Sequence, residues 1–371
     1  MMSDINILTV FYAFSAGASW LLGVLCFLGI NRINLRAERW LGIFYAIVGC
    51  TFTRMFLEIF GIGSIYLLQL LELPTWAMLP ALYMATHYFT KDTTSNKVLV
   101  LHFIPFLIFL LFSITFFLIG LATEQNHLPE LPMWFRFIIQ YFFSGQMIFY
   151  WIACLILLRR HKKNIKMLAS YTEKIDLQWL RMLLISFFFL ILIRILSLSS
   201  LQITYFTPVL YFVATLVLAY STLTQRSIYA NEPALSGSKD KIVISDPVNE
   251  RLSAEQVREF KSIVVLKTVE QKLYLDPLLT LKGLADKIGL NTHELSYVLN
   301  NGLGKNFYQF INELRTEEAK SLLLSEDMKH LDLLGIATSA GFNSKTTFYT
   351  TFKKLTGLTP KEYMKTNASR I

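Results

Sequence analysis

Leu281-Lys-Gly-Leu-Ala-Asp-Lys-Ile-Gly289, continued by Asn291-Thr-His-Glu-Leu-Ser-Tyr-Val-Leu299, carries the marks of two short helices packed across a tight turn. Leu281, Leu284, Ala285 and Ile288 fall at i, i+3, i+4 and i+7, one apolar face of a short helix. Gly289 ends that pattern and supplies a residue able to turn left-handed at little cost. Asn291 then opens a second helix with Glu294 as its capping-box partner, and Leu295, Val298 and Leu299 give it an inner face. The scheme recurs downstream. Leu334, Ala337 and Ala340 precede Gly341, and Ser344 caps a helix whose expected inner face is Phe348, Phe352 and Leu355. Helices that cross steeply need a small residue at the crossing, and Ala285 and Ala337 stand there. One such pair is a common accident of sequence. Two in the same register predict tandem helix-turn-helix units, at about 281–301 and 333–356, joined by a linker helix over 307–324.

The segment from Tyr274 to Tyr363 resembles the DNA-binding domain of the AraC/XylS family of bacterial transcription regulators. The resemblance is carried by Leu281–Gly289, by Asn306-Phe-Tyr-Gln-Phe-Ile-Asn-Glu-Leu-Arg315, by Ile336-Ala-Thr-Ser-Ala-Gly-Phe-Asn-Ser344, and by Phe348-Tyr-Thr-Thr-Phe-Lys-Lys-Leu-Thr-Gly-Leu-Thr-Pro360-Lys-Glu-Tyr363. It implies an all-α domain over 253–368 that places one helix of each unit in successive major grooves of double-stranded DNA. Reading helices in such an arrangement lie about 34 Å apart, one turn of the duplex. Opposite the inner face, the first reading helix carries Thr292, His293, Ser296, Tyr297 and Asn300; by resemblance His293, Ser296 and Tyr297 occupy base-contacting positions. The second presents Ser344, Lys345, Thr346, Tyr349 and Thr350, with Lys353 in reach of a phosphate. These are donors, acceptors and aromatic edges suited to base edges and thymine methyls. Neither reading helix contains Arg, the commonest specific partner of guanine. From Glu250 onward there are 17 Lys+Arg against 14 Asp+Glu, a thin surplus for a DNA-binding module. Docking of a protein partner is therefore a second reading of this domain.

The first two-thirds of the chain is of a different kind. Hydrophobic residues make up 54% of the sequence and charged ones 16%, and mean hydropathy is +0.45, all far from a soluble chain. Seven apolar stretches, at about 5–30, 40–60, 64–89, 98–120, 133–158, 177–199 and 203–223, predict a seven-helix transmembrane bundle. Pro74, Pro80, Pro105 and Pro208 fall inside these stretches, where neighbouring groups can re-satisfy the backbone. The connections alternate in charge. Arg32, Arg36 and Arg39 occupy the first, Lys91 and Lys97 the third, and Arg159, Arg160, Lys162, Lys163, Lys166 and Lys174 the fifth. The second, fourth and sixth have no Lys or Arg, and the fourth carries Glu124 and Glu130. The positive-inside rule then sets the N-terminus outside and the C-terminus in the cytoplasm of a bacterial inner membrane, where DNA is. Met1–Asp4 has no positive charge, and the apolar run passes well beyond Ala18, which argues against a cleaved signal peptide.

Charged residues inside spans mark function or structural pairing. Arg54, Glu58, Glu72, Arg136 and Arg194 fall at similar depth toward the outer side. They are expected to form one polar cluster, with Trp76 and Tyr205 nearby. It is either a site for an external small molecule or lipid headgroup, or an ion-pair network that holds the bundle. Residues 224–252, with Pro233, Ser236-Gly-Ser238 and Asp246-Pro247, read as a flexible linker that also offers a place for proteolytic release. Ser253-Ala-Glu-Gln256 then opens a helix through about Leu273. A loose tether transmits shape poorly, so signal transfer is expected to act through a homodimer. Cys26, Cys50 and Cys154 lie in spans and suggest neither a disulfide framework nor a metal site. The sequence carries no nucleotide-binding glycine pattern, metal-spaced cluster or catalytic signature, so no enzyme and no cofactor is expected. A transporter with a regulatory tail stays open as a further alternative, although paired broken helices are not evident.

Overall fold

The computed structural model describes residues 7–29, 34–90, 101–122, 132–171, 177–197, 207–229, 252–325 and 331–368. Arg32, Lys91, Lys97, Glu124, Glu130, Lys174, Tyr205 and residues 230–251 of the expected linker lie outside them. Among the described residues the fold is all α, with no named strand. It divides into two compact units, Met1–Arg159 with Leu177–Pro233, and Arg160–Asp176 with Ala234–Ile371.

The first unit contains helices α1 (Ile7–Phe27), α2 (Leu35–Ile59), α3 (Ile65–Glu72), α4 (Met78–Thr90), α5 (Ile104–Ala122), most of α6 (Met133–Leu168), α7 (Gln178–Ser197) and α8 (Thr207–Tyr229). Helices overlap each of the expected apolar stretches among the described residues, with three differences of extent. The third is broken: α3 stops at Glu72, and a 3-10 turn over Leu73–Ala77 begins with Pro74 near its start, since Pro cannot donate into a continuing helix. Helix α6 runs ten residues past the expected end at Leu158, because its basic run is made of good helix formers. Helix α8 continues to Tyr229, into the segment read as linker. Pro105 and Pro208 are second residues of their helices and Pro80 the third of α4, first-turn positions where the missing N–H costs nothing.

Backbones approach closely where α1 meets α2. A Cβ added to Gly42 would lie 3.1 Å from the Gly23 carbonyl and 2.8 Å from the Phe27 ring, the small-residue packing that membrane helices use. Leu41, Phe44, Tyr45, Leu82, Leu180 and Leu184 form the buried centre. The outside is apolar too: Leu111 is 67% exposed and Phe149 59%. Many hydroxyls bond back to their own helix, Thr51 to the Ile47 carbonyl at 3.1 Å, Thr53 to Gly49 at 2.7 Å and Thr115 to Leu111 at 2.9 Å, which satisfies them without water. Four helical stretches (Val10–Phe27, Leu35–Ile59, Ile65–Thr90 and Met133–Leu168) are long and apolar enough to cross a membrane. The apolar stretches of α5, α7 and α8 are shorter among the described residues.

The second unit is built around α12 (Phe307–Leu324), whose bounds match the expected linker helix. Asn306 and Gln309 cap it reciprocally at 2.9 Å each way. Its N-terminal half gives Phe307, Phe310 and Ile311 to one core, and its C-terminal half gives Ala319 and Leu323 to another. Around the first core lie α9 (Ala254–Glu270), α10 (Leu281–Ile288) and α11 (Thr292–Tyr297); around the second, α13 (Leu333–Ser339), α14 (Lys345–Thr356) and α15 (Pro360–Ala368). The capping boxes at Ser253 and Asn291 and the Ser344 cap form as expected. Leu284 and Leu295 are fully buried. Leu295→Ala is expected to destabilise this unit by about 2–5 kcal/mol through lost burial and a residual cavity, measured as a lowered thermal unfolding midpoint of the full chain in detergent. A midpoint equal to wild type would contradict that packing.

Candidate nucleic-acid interface

In the first helix-turn-helix, Leu281, Leu284, Ala285 and Ile288 are all buried. Gly289 has φ 80° and its N–H returns to the Ala285 carbonyl at 3.0 Å. Lys267 of α9 donates to the Ile288 carbonyl at 2.9 Å, satisfying the end of α10. The second unit departs from the expected faces at two places. Ile336, Ala337 and Ala340 face inward, while Leu334, in the first turn of α13, is 47% exposed. The core of α14 ends at Phe352, whose ring meets Phe348 at 5.5 Å and Tyr363 of α15 at 5.3 Å. Leu355 is left on the surface. Gly341 has φ 86°.

The residues expected to read DNA stay on the outer side of each unit. His293 is exposed, and Thr292, Ser296 and Tyr297 are half-buried along α11. The helix is short, and a π turn over Val298–Gly302 follows it. Asn300 falls in that turn, and its amide donates to the Ser296 carbonyl at 2.8 Å. Its amide nitrogen is thus engaged with its own helix. Glu294, the acid of this helix, is turned to the Asn291 N–H at 2.9 Å. On α14, Lys345, Thr346, Thr350 and Lys353 are exposed, while Ser344 and Tyr349 are half-buried. Ser344 receives the Thr347 N–H at 3.1 Å, so its hydroxyl serves the helix cap. Lys345 stands 5.7 Å over the Tyr349 ring, a cation–π contact that orients both. The sequence reading missed Lys354. It lines a shallow groove of about 440 Å³ with Tyr349, Thr350, Lys353 and Thr359; its place beside Lys353 was the available signal. Two lysines and a mobile-hydrogen hydroxyl beside an aromatic edge can hold a phosphate and meet a base.

Of the charged residues expected to cluster in the first unit, Arg54, Glu58 and Glu72 meet. Arg54 Nη2 lies 3.4 Å from Glu58 Oε2 on the same helix, and Arg54 Nε 3.5 Å from Glu72 Oε2 at the end of α3. Arg136 is exposed in the first turn of α6, and the side chain of Arg194 on α7 lies outside the described residues. Trp76 is buried, its ring 5.0 Å from Phe109 and 5.2 Å from Phe143.

Residues 284–366 match a family model described as a helix-turn-helix domain. The Melibiose operon regulatory protein of Escherichia coli is 32% identical over 95 residues, 26% of this chain and 30% of that protein. An uncharacterised HTH-type transcriptional regulator of Bacillus subtilis is 28% identical over 120 residues, 32% of this chain and 15% of its own length. One from Staphylococcus aureus is 38% identical over 85 residues, 23% of this chain and 11% of its own. The chain thus spans less than a third of the length of these relatives. No solved structure matches. The C-terminal domain is a helix-turn-helix domain, similar to that of these transcription regulators.

Proposed function

We propose that this chain is a membrane-tethered transcription regulator. Its first unit spans a bacterial inner membrane with seven helices, N-terminus outside, and holds the C-terminal domain in the cytoplasm. That domain binds double-stranded DNA sequence-specifically through the outward faces of α11 and α14. One observation carries the reading. Two separately capped helix-turn-helix units present faces whose sole acid, Glu294, is used in its own cap, on a chain whose other unit is apolar outside as well as inside. Arg36 and Arg39 on α2, and Arg159 to Lys166 on α6, lie at the helix ends assigned to the inner leaflet.

Exposed Lys345, Lys353 and Lys354 support phosphate contacts by the second unit. In lipid nanodiscs, the full chain is expected to retain promoter DNA with a log–log salt slope of about −4 to −6, as roughly five to seven released counterions require. Retention independent of salt, or of duplex sequence, would favour a protein-docking domain. For the membrane part, the carboxylates of Glu58 and Glu72 are half-exposed beside Arg54, which supports an open polar site for an external ligand or lipid headgroup. Arg54→Gln is expected to leave the amount of inserted protein unchanged while shifting output of a target-gene reporter. Loss of the protein itself would make the cluster purely structural.

A further inference from the structure

The end of α6 and the residues after it belong to the second unit, although in sequence they fall between two expected spans. Ile165, Ala169, Ser170 and Tyr171 are buried, and Leu168 packs on the core of the first helix-turn-helix. Ala169 forms an antiparallel bridge with Thr280. The Ser170 hydroxyl donates to the Leu279 carbonyl at 2.8 Å. Asn312 donates to the Ser170 carbonyl at 2.9 Å, and Arg315 Nη2 to the Ser170 hydroxyl at 3.1 Å. Lys166 lies 5.7 Å over the Tyr308 ring. Tyr308, Asn312 and Arg315 recur along one side of α12, so this is a continuous strip of linker helix.

Arg315 makes the strip consequential. It is among the largest fully buried side chains, and its Nε donates to the Tyr274 carbonyl at 2.7 Å and its Nη2 to the Asp276 carbonyl at 2.6 Å. Burial pulls the guanidinium down to about 10, partly offset by Asp276, so it remains charged at neutral pH. The turn it holds faces the other helix-turn-helix: a Cβ on Gly341 would lie 2.7 Å from Leu275 Cα and from the Tyr274 carbonyl. Ser170 thus completes the hydrogen bonding of the side chain that sets the turn between the two DNA-reading units.

We propose that residues 160–171 are a docking strut, seated on Leu279–Thr280, Tyr308, Asn312 and Arg315, through which displacement of α6 resets the relative placement of the two helix-turn-helix units. This rests on the reading of α6 as a membrane span and of the C-terminal domain as DNA-binding. The partners named above lie on α12 and on the turn before α10, and the reading faces are on α11 and α14. Seated, it preorganises them, and the docked form binds DNA more tightly than the undocked form. This gives the signal a route other than the linker at 230–251 and other than dimerisation.

The test uses the full chain in membrane vesicles, with Cys26, Cys50 and Cys154 replaced by Ala. Ala169→Cys and Thr280→Cys are introduced together, and a protease recognition sequence is inserted between Gly237 and Ser238. Facing residues of an antiparallel pair have Cα atoms about 4.5–5.5 Å apart, within disulfide reach. Mild oxidation is expected to join the two proteolytic fragments into one non-reducing band, which neither single-cysteine variant gives. The oxidised chain is expected to bind promoter DNA at least about threefold more tightly than the same chain reduced. Ser170→Ala, which keeps the backbone, is expected to weaken binding, as undocking does, without lowering the thermal midpoint of the first unit. Separate fragments after oxidation, in a chain that still binds DNA, would overturn the docking. Cross-linking with equal or weaker affinity would overturn the coupling. Cross-linking in a chain that binds no DNA in either state would overturn the functional reading and leave the docking supported.

Discussion

Gly341→Ala is expected to abolish specific DNA binding by disabling the second helix-turn-helix. Two costs combine. The residue sits at φ 86°, where a Cβ costs roughly 1–2 kcal/mol. That Cβ would also be driven to 2.7 Å from the Tyr274 carbonyl and Leu275 Cα and 2.9 Å from the Leu275 carbonyl. These are backbone atoms, and Arg315 holds the turn by its bonds to the Tyr274 and Asp276 carbonyls. Neither wall can yield as a flexible side chain would. A total of about 3–5 kcal/mol is expected, in the range that marks strain plus overpacking. Gly289 and Gly357 make the comparison sharp: both have left-handed φ but nothing within 4 Å of an added Cβ. Gly289→Ala and Gly357→Ala should therefore lose only about 1 kcal/mol each, the conformational cost alone. Thermal unfolding of the three variants, with DNA retention at matched salt, checks the order. Equal losses at all three positions would contradict the close approach at Gly341.

The second large effect is expected from the reading faces themselves. Ser296→Glu combined with Thr350→Glu should lower affinity for promoter DNA by about a hundredfold or more, roughly 3 kcal/mol, while leaving stability within about 0.5 kcal/mol. Thr350 is exposed and Ser296 half-buried on the outer side, so neither new carboxylate is forced into a core. On the duplex, each would meet phosphate or base acceptors with no donor to offer. Glu294, the acid already on α11, is engaged by the Asn291 N–H of its own cap. Tyr297→Ala with Tyr349→Ala tests the same faces by deletion. Tyr349 also packs beside Phe348, ring centroids 5.7 Å apart, so its removal carries a stability loss that Thr350→Glu avoids. Unchanged affinity of the glutamate pair, with the fold intact, would place the interface elsewhere.

Sequence signals are legible here where the physics is local. The faces of α10, the caps at Asn291, Ser344 and Ser253, and the bounds of α12 follow from spacing and capping chemistry within a few residues. Periodicity points Leu334 and Leu355 inward, but α13 has only seven residues and α15 closes the core at Phe352. What helical period gives there is a direction, and the third helix decides where burial stops. The break after Glu72 has its signal in Pro74, a residue that a membrane helix can also carry when neighbouring groups re-satisfy the backbone. The role of Arg315 had none. Its partners are carbonyls 39 and 41 residues away and a serine 145 residues away, and no pattern within a helix encodes them. The same holds for residues 160–171, whose basic composition reads as an inside loop whether or not it docks.

If one chain reads DNA while anchored in a membrane, DNA should be recovered with the full chain from the membrane fraction of cross-linked cells, and it can be mapped beside the Ser296→Glu, Thr350→Glu variant. The expected result is a set of discrete wild-type sites, each with two short elements about 10 base pairs apart, all lost in the variant at equal protein level. DNA recovered only with a soluble fragment, or equally with both proteins, would contradict it.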